Sequence, residues 1–293
     1  MRSPRPAART RLLTAALATA LATLSIGAIG AIAPATAAAS APTADQALPL
    51  ATGDGGPYGE DHAMGSQIRK HEGRQPGPIT PIVIDATVAG MDVSGWQGNV
   101  NWSAAWANGA RFAYVKATEG TSYTNPYFAQ QYNGSYNVGM IRGAYHFARP
   151  NVSGGATQAN YFVDHGGGWS RDGKTLPGAL DIEYNPYGST CYGLSTTGMV
   201  AWIKAFSDQY HARTGRWPVI YTSTSWWSLC TGNRGDFTST NPLWVARYAS
   251  TVGPLPYAWT IYTFWQYDDS GIFPGDQNIF NGGYDRLQAL AYG

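Results

Sequence analysis

From Ala89 onward, short apolar runs alternate with stretches of helical spacing, and this alternation limits the fold more than any single residue does. The runs lie in "GMDVSGW", "RFAYVKATEG", "MIRGAYHFARP", "LPGALDIEYN", "WPVIYTS", "PLWVARYA" and "TFWQYDDSG". The clearest helical stretches between them are "TNPYFAQQYNGSYNVG", "GGATQANYFVDHGG" and "STTGMVAWIKAFSDQYHARTG". In the last, Met199, Trp202, Ile203, Phe206 and Tyr210 recur at helical spacing, Ser195 is placed to cap the N-terminus, and Gly215 lies just past the end. Strand alternating with helix argues for a parallel sheet, and seven or eight strands in about 205 residues argue for an α/β barrel of TIM-like type. Little room for helices remains after Pro218, so the barrel is expected to be irregular there.

Most of these strands finish on a polar group: Asp92, Lys116 then Glu119, His146, Asp181 and Glu183, Tyr221, Arg247, Gln266. One charge at a strand end is usually a solvated boundary residue. Seven such ends in order point instead to the face where the C-terminal ends of barrel strands converge on an active site. The most telling pair is Asp181 and Glu183 in "GALDIEYN". Side chains at i and i+2 of a strand share a face about 6.5 to 7 Å apart. Two carboxyls so placed in a dry site do not both ionise easily, which leaves a neutral acid beside an anion. Glycoside hydrolysis uses that combination, although a salt-bridged structural pair would carry the same two residues.

Composition narrows the alternatives. The formal charge is +1, and residues 88–293 hold twelve Lys/Arg against twelve Asp/Glu, so nothing suggests a nucleic-acid partner or an anionic membrane surface. No Gly-x-Ser-x-Gly elbow, P-loop or Gly-x-Gly-x-x-Gly after a strand is present, and no His spacing supports a metal site or another cofactor. The 11 Trp and 19 Tyr suit stacking on sugars, though most are read as ordinary core.

The N-terminus reads as a secretory signal. "MRSPRPAARTR" carries four Arg and no acid, an Ala- and Thr-rich apolar stretch follows, and "PATAAAS" offers a cleavage site near Ala37. An uncleaved anchor is the alternative, and no second apolar span follows. Residues 38–87 lack periodicity and read as a poorly ordered linker or pro-segment, with residues 88–293 as the catalytic domain. Cys191 and Cys230 fit an exported protein with one disulfide closing a loop of roughly forty residues.

The blocks "MDVSGWQG", "FAYVKATEGTSYTNPYF", "GMIRGAYHFARP", "LDIEYN", "PVIYTS", "LWVARYA", "FWQYDDSG" and "GDQNIFNG" occur in this order over about 200 residues. In this the chain resembles the glycoside hydrolase family 25 lysozymes of the Chalaropsis type. The resemblance implies an irregular barrel of about five β/α units followed by antiparallel strands with few helices. It implies hydrolysis of the β-1,4 bond between N-acetylmuramic acid and N-acetylglucosamine in peptidoglycan, and with the N-terminal signal a secreted enzyme is expected, with no cofactor and as a monomer. It further implies Glu183 as general acid and Asp181 as its partner, which either orients the substrate acetamido group or stabilises charge at the anomeric carbon. Asp92 and Asp276 would complete the acidic cluster, with Asp268 and Asp269 as alternatives to Asp276. Lys116, Glu119, Tyr145, His146, Tyr221, Trp265 and Gln266 lie in blocks that line the groove. For His146 a hydrogen bond at the strand end competes with substrate contact, and for Tyr145 and Trp265 core packing does. Lys116 is expected to pair with a carboxylate. Retention with assistance from the substrate N-acetyl group is the preferred mechanism. A binding protein on an inactive barrel and a hydrolase of another amino-sugar polymer such as chitin are the alternatives.

Overall fold

The computed structural model describes residues 62–83 and 86–293, all within the unit Leu48–Gly293. The proposed signal peptide, residues 1–37, lies outside the described residues. The elements run α1 (Ile68–Glu72), β1 (Val88–Val93), α2 (Trp102–Ala107), β2 (Phe112–Glu119), β3 (Tyr123–Thr124) and α3 (Phe128–Asn137). There follow β4 (Ile141–Phe147), α4 (Gly155–Phe162), β5 (Ala179–Asp181), α5 (Thr196–Thr214), β6 (Val219–Thr222) and α6 (Thr224–Thr231). The chain ends with β7 (Leu243–Ala246), β8 (Phe264–Asp268), β9 (Asp276–Phe280) and α7 (Tyr284–Tyr292).

Strand β1 is paired on both sides, in parallel with β2 and antiparallel with β9, and this closes eight strands into a barrel. The short β3 adds to β2 as an antiparallel flap. Five β/α units (β1–α2, β2–α3, β4–α4, β5–α5, β6–α6) make up the regular part. After α6 the chain runs β7 and β8 in parallel with no helix between them, and β9 turns back antiparallel to both β8 and β1. This is the irregular α/β barrel that the strand spacing implies.

Sequence and packing agree most closely in α5. Ser195 Oγ accepts from the Gly198 amide, Gly215 ends the helix at φ +72, and Met199, Trp202, Ile203, Phe206 and Tyr210 are all buried. A left-handed C-terminal residue is the conformation that glycine adopts without a Cβ penalty. The strands are buried along nearly their whole length, as expected when helices cover the outside and side chains fill the inside. Inside the barrel Phe112, Tyr114, Trp244, Phe264 and Phe280 stack tilted or edge to face, with ring centroids 4.7 to 5.6 Å apart. This aromatic floor raises the polar strand ends to the mouth.

The disulfide joins Cys191, in the loop after β5, to Cys230 near the end of α6, with 5.3 Å between the Cα atoms. Its 39-residue separation places the expected stabilisation at about 4 kcal/mol by the loop-entropy argument. Replacing both cysteines by Ser is predicted to lower the unfolding free energy by roughly 2–4 kcal/mol. Chemical denaturation of the two proteins checks this, and equal midpoints would show the bridge to be energetically idle.

Candidate active site

Alternation along the strands brings the polar groups together. Asp92 on β1 lies opposite Asp276 on β9, and Asp181 on β5 lies beside Tyr221 on β6. Glu183 stands two residues beyond Asp181 on extended chain, where the Ile182 amide still donates to the Tyr221 carbonyl at 3.0 Å. Asp92, Asp181 and Glu183 are buried, while Asp276 is partly exposed.

Gln266 on β8 organises one half of the cluster. Its Nε2 donates to Asp92 Oδ2 at 3.0 Å and to Asp276 Oδ2 at 2.9 Å. Its Oε1 accepts from the hydroxyls of Tyr221, at 2.7 Å, and Tyr248, at 3.1 Å. Carboxylates only accept and phenols can donate, so the partners decide which end of the amide is which. Asn278 adds a second donor to Asp92 Oδ2, at 2.6 Å. Burial nonetheless outweighs these donors and lifts Asp92 to about 7. Asp276 is pushed well above its ordinary value by loss of water around its carboxyl and then by Asp92.

Lys116 and Glu119 organise the other half. Residues i and i+3 of a regular strand face opposite sides, but the pairing of β2 with β4 shifts register between Lys116 and Thr118. This bulge turns Glu119 inward, and its Oε2 meets Lys116 Nζ at 2.7 Å with both side chains fully buried. Burial by itself would raise the Glu119 carboxyl; the Lys116 ammonium and donors from His62 and Tyr187 hold it instead at about 2. The lysine expected to pair with a carboxylate therefore pairs with this one.

The remaining two acids are the least satisfied. Neither oxygen of Asp181 has a hydrogen-bond partner, nor does Glu183 Oε2. Glu183 Oε1 accepts from the Gly65 amide at 2.6 Å. Burial raises Glu183 to about 8 despite that bond, and it raises Asp181 well above its ordinary value, with Glu183 as the next cause. Asp181 has no donor and the backbone donor to Glu183 does not offset its burial, so burial favours the neutral form of both, and each holds a proton that a reacting oxygen can take.

Two expected groove residues face the other way. His146 packs against Phe162 and Phe206, with Nδ1 2.7 Å from Thr118 Oγ1 and Nε2 2.9 Å from Gln158 Oε1. Trp265 lies between Phe264 and Gln266, which point inward, and its indole N–H donates to the Arg247 carbonyl at 2.9 Å. Tyr145 does reach the mouth, where its hydroxyl accepts from the Met64 amide. Asp268 and Asp269, the alternatives to Asp276, are engaged by Arg74 and Arg69. Sequence reasoning missed Tyr248 and Asn278. The i, i+2 rule applied from Asp276 along "GDQNIFNG" identifies Asn278. Among the described residues no His, Cys, Asp and Glu group has the arrangement of a metal site.

The profile of "Glycosyl hydrolases family 25" matches residues 91–276. "Lysozyme M1" of Streptomyces globisporus is 49% identical over 260 residues, covering 86% of this chain and 88% of its own. "N,O-diacetylmuramidase" of Chalaropsis sp is 54% identical over 211 residues, covering 71% of this chain and 100% of its own. A solved muramidase from Acremonium alcalophilum is 59% identical with a TM-score of 0.69, covering 70% of this chain and 99% of its own. The Streptomyces similarity thus reaches well to the N-terminal side of the barrel, whereas the other two span about the barrel's length.

Carboxyls raised by folding bind more protons in the native state, so stability is fully present below their unfolded values near 4 and falls as pH rises through about 7 to 8. His146, lowered to about 4 by burial, works in the opposite sense, but only below its ordinary value of 6.5. Between pH 6.5 and 8 the acids act alone. The melting temperature is predicted to fall over that interval, and Glu183→Gln to flatten the fall; calorimetry at fixed ionic strength checks both.

Proposed function

The chain belongs to glycosyl hydrolases family 25, and from that premise we propose that it is an exported muramidase acting on bacterial peptidoglycan. The bond cut is the β-1,4 linkage from N-acetylmuramic acid to N-acetylglucosamine. The observation that carries this reading is Glu183, buried and raised to about 8 with Asp181 beside it. Such a carboxyl is still protonated at neutral pH and can deliver its proton to the leaving glycosidic oxygen. Asp181 then steadies the substrate acetamido group as its oxygen attacks the anomeric carbon, which retains configuration. Asp92, raised only to about 7 and therefore partly ionised at neutral pH, is held by donors from Gln266 and Asn278 and brings negative charge near the developing oxocarbenium ion. Lys116 and Glu119 shape the opposite wall.

The similar proteins named lysozyme and N,O-diacetylmuramidase support this choice of polymer. Export is supported by the Arg-rich, then apolar, then small-residue N-terminus and by the Cys191–Cys230 bridge.

Digestion of purified peptidoglycan is predicted to expose N-acetylmuramic acid reducing ends, with the anomeric configuration retained. N-acetylglucosamine ends, or activity on chitin alone, would reject the assignment, and an inverted product would reject the substrate-assisted route. Glu183→Gln keeps the shape and removes the proton. It is predicted to lower kcat by roughly 10²- to 10⁴-fold with little change in KM.

A further inference from the structure

The groove that would hold the polysaccharide is filled by the chain's own N-terminal segment. We propose that residues 62–79 are a tethered inhibitor that keeps the hydrolase latent until the segment is cut free. This rests on the reading of the barrel mouth as the hydrolytic site.

The occupancy is built on backbone groups. The His62 carbonyl accepts from Lys116 Nζ at 2.7 Å, and the His62 amide donates to Glu119 Oε2 at 3.2 Å. The Gly65 amide takes Glu183 Oε1, and the Gly65 carbonyl accepts from Tyr248 at 3.1 Å. Both halves of the acidic site are therefore engaged within the four consecutive residues His62 to Gly65. Met64 and Ile68 bury their side chains completely, which a loosely draped linker would not do.

Gly65 sets the fit. It has φ +82, and a Cβ there would stand 2.2 Å from the Tyr248 hydroxyl and 2.5 Å from Gln266 Oε1. Only a residue without a side chain lets the backbone come down onto the general acid. Beyond it, His71 stacks on Tyr184 at 4.1 Å, and Glu72 accepts from Tyr184 and Ser223. Arg74 then closes a bidentate pair with Asp268, both bonds at 2.7 Å.

A peptide in this position offers no glycosidic bond, so it blocks the site without being consumed. Substrate must compete with a ligand whose tether gives it an effective concentration on the order of millimolar. Ile82 and Val83, just beyond this segment, are exposed, at 67% and 37%. An endopeptidase acting there adds water across one peptide bond, leaving a carboxylate and an ammonium, and turns the inhibitor into a dilute peptide free to leave. The similarity to the Streptomyces protein extends through this segment. The Acremonium muramidase is a folded chain of about the barrel's length alone, so the barrel does not need the segment to fold.

The test uses the full chain with a site-specific protease sequence inserted between Ile82 and Val83, before and after cutting, together with Gly65→Val in the uncut chain. Peptidoglycan hydrolysis and binding of an N-acetylglucosamine tetrasaccharide are measured in parallel. Cutting and Gly65→Val are each expected to raise kcat/KM about tenfold or more, mainly through KM, and a synthetic peptide of residues 62–79 is expected to reverse the effect of cutting. Equal hydrolysis by all three proteins overturns the inhibitor and leaves the muramidase reading standing. If none hydrolyses, tetrasaccharide binding gained on cutting sustains the inhibitor and removes the muramidase reading. No gain in binding overturns the inhibitor.

Discussion

Keeping carboxyl groups out of water is the constraint around which the barrel mouth is arranged. Asp92, Asp181, Glu183 and Glu119 are all buried there, and Asp276 adds a fifth acid at the edge. An unpaired buried charge costs several kcal/mol, so each acid must be paired, hydrogen-bonded or neutral. The structure uses all three solutions. Glu119 is ionised against Lys116, Asp92 and Asp276 share an amide donor, and Asp181 and Glu183 are kept neutral by burial. The division separates a fixed charge from a transferable proton within one cavity, which is what acid-assisted cleavage of a sugar acetal requires.

Dryness has two sources. The aromatic floor seals the site from below, and the segment from His62 to Arg74 covers it from above. Burial is the largest cause of the raised Asp92, Asp181 and Glu183, so the covering segment and the acids are energetically linked. Lifting the segment admits water and lets the carboxyls move back toward their ordinary values. The raised values therefore belong to the closed molecule, and a sugar seated in the groove would exclude water in the same way.

Much of this was legible in the residues. The strand and helix alternation led to the barrel because apolar spacing reflects which face of each element is covered. Helix α5 was readable to its caps, since Ser195 and Gly215 satisfy local backbone needs that no distant contact alters. Asp181 and Glu183 stood out because the period of a strand is a local property. Other features were hidden for a physical reason. The inward turn of Glu119 depends on a bulge opposite β4, and a register shift is decided by two strands together. His146 and Trp265 sit in the right blocks, yet alternation sends them outward, where Gln158 and the Arg247 carbonyl take their polar atoms.

The segment before β1 marks the boundary between the two kinds of information. Its Gly, Pro and charge content carries no periodicity, so nothing local predicts an ordered path for it. It is held by contacts to residues 54 to 202 positions away in the chain, among them Lys116, Glu119, Glu183 and Gln266. By itself the sequence determined the elements, the barrel and the presence of an acid pair at a strand end, because propensity, capping and side-chain period act over a few residues. Only the tertiary structure decided which acids carry protons and what fills the groove. Charge state depends on water exclusion, and exclusion is a property of the assembled mouth.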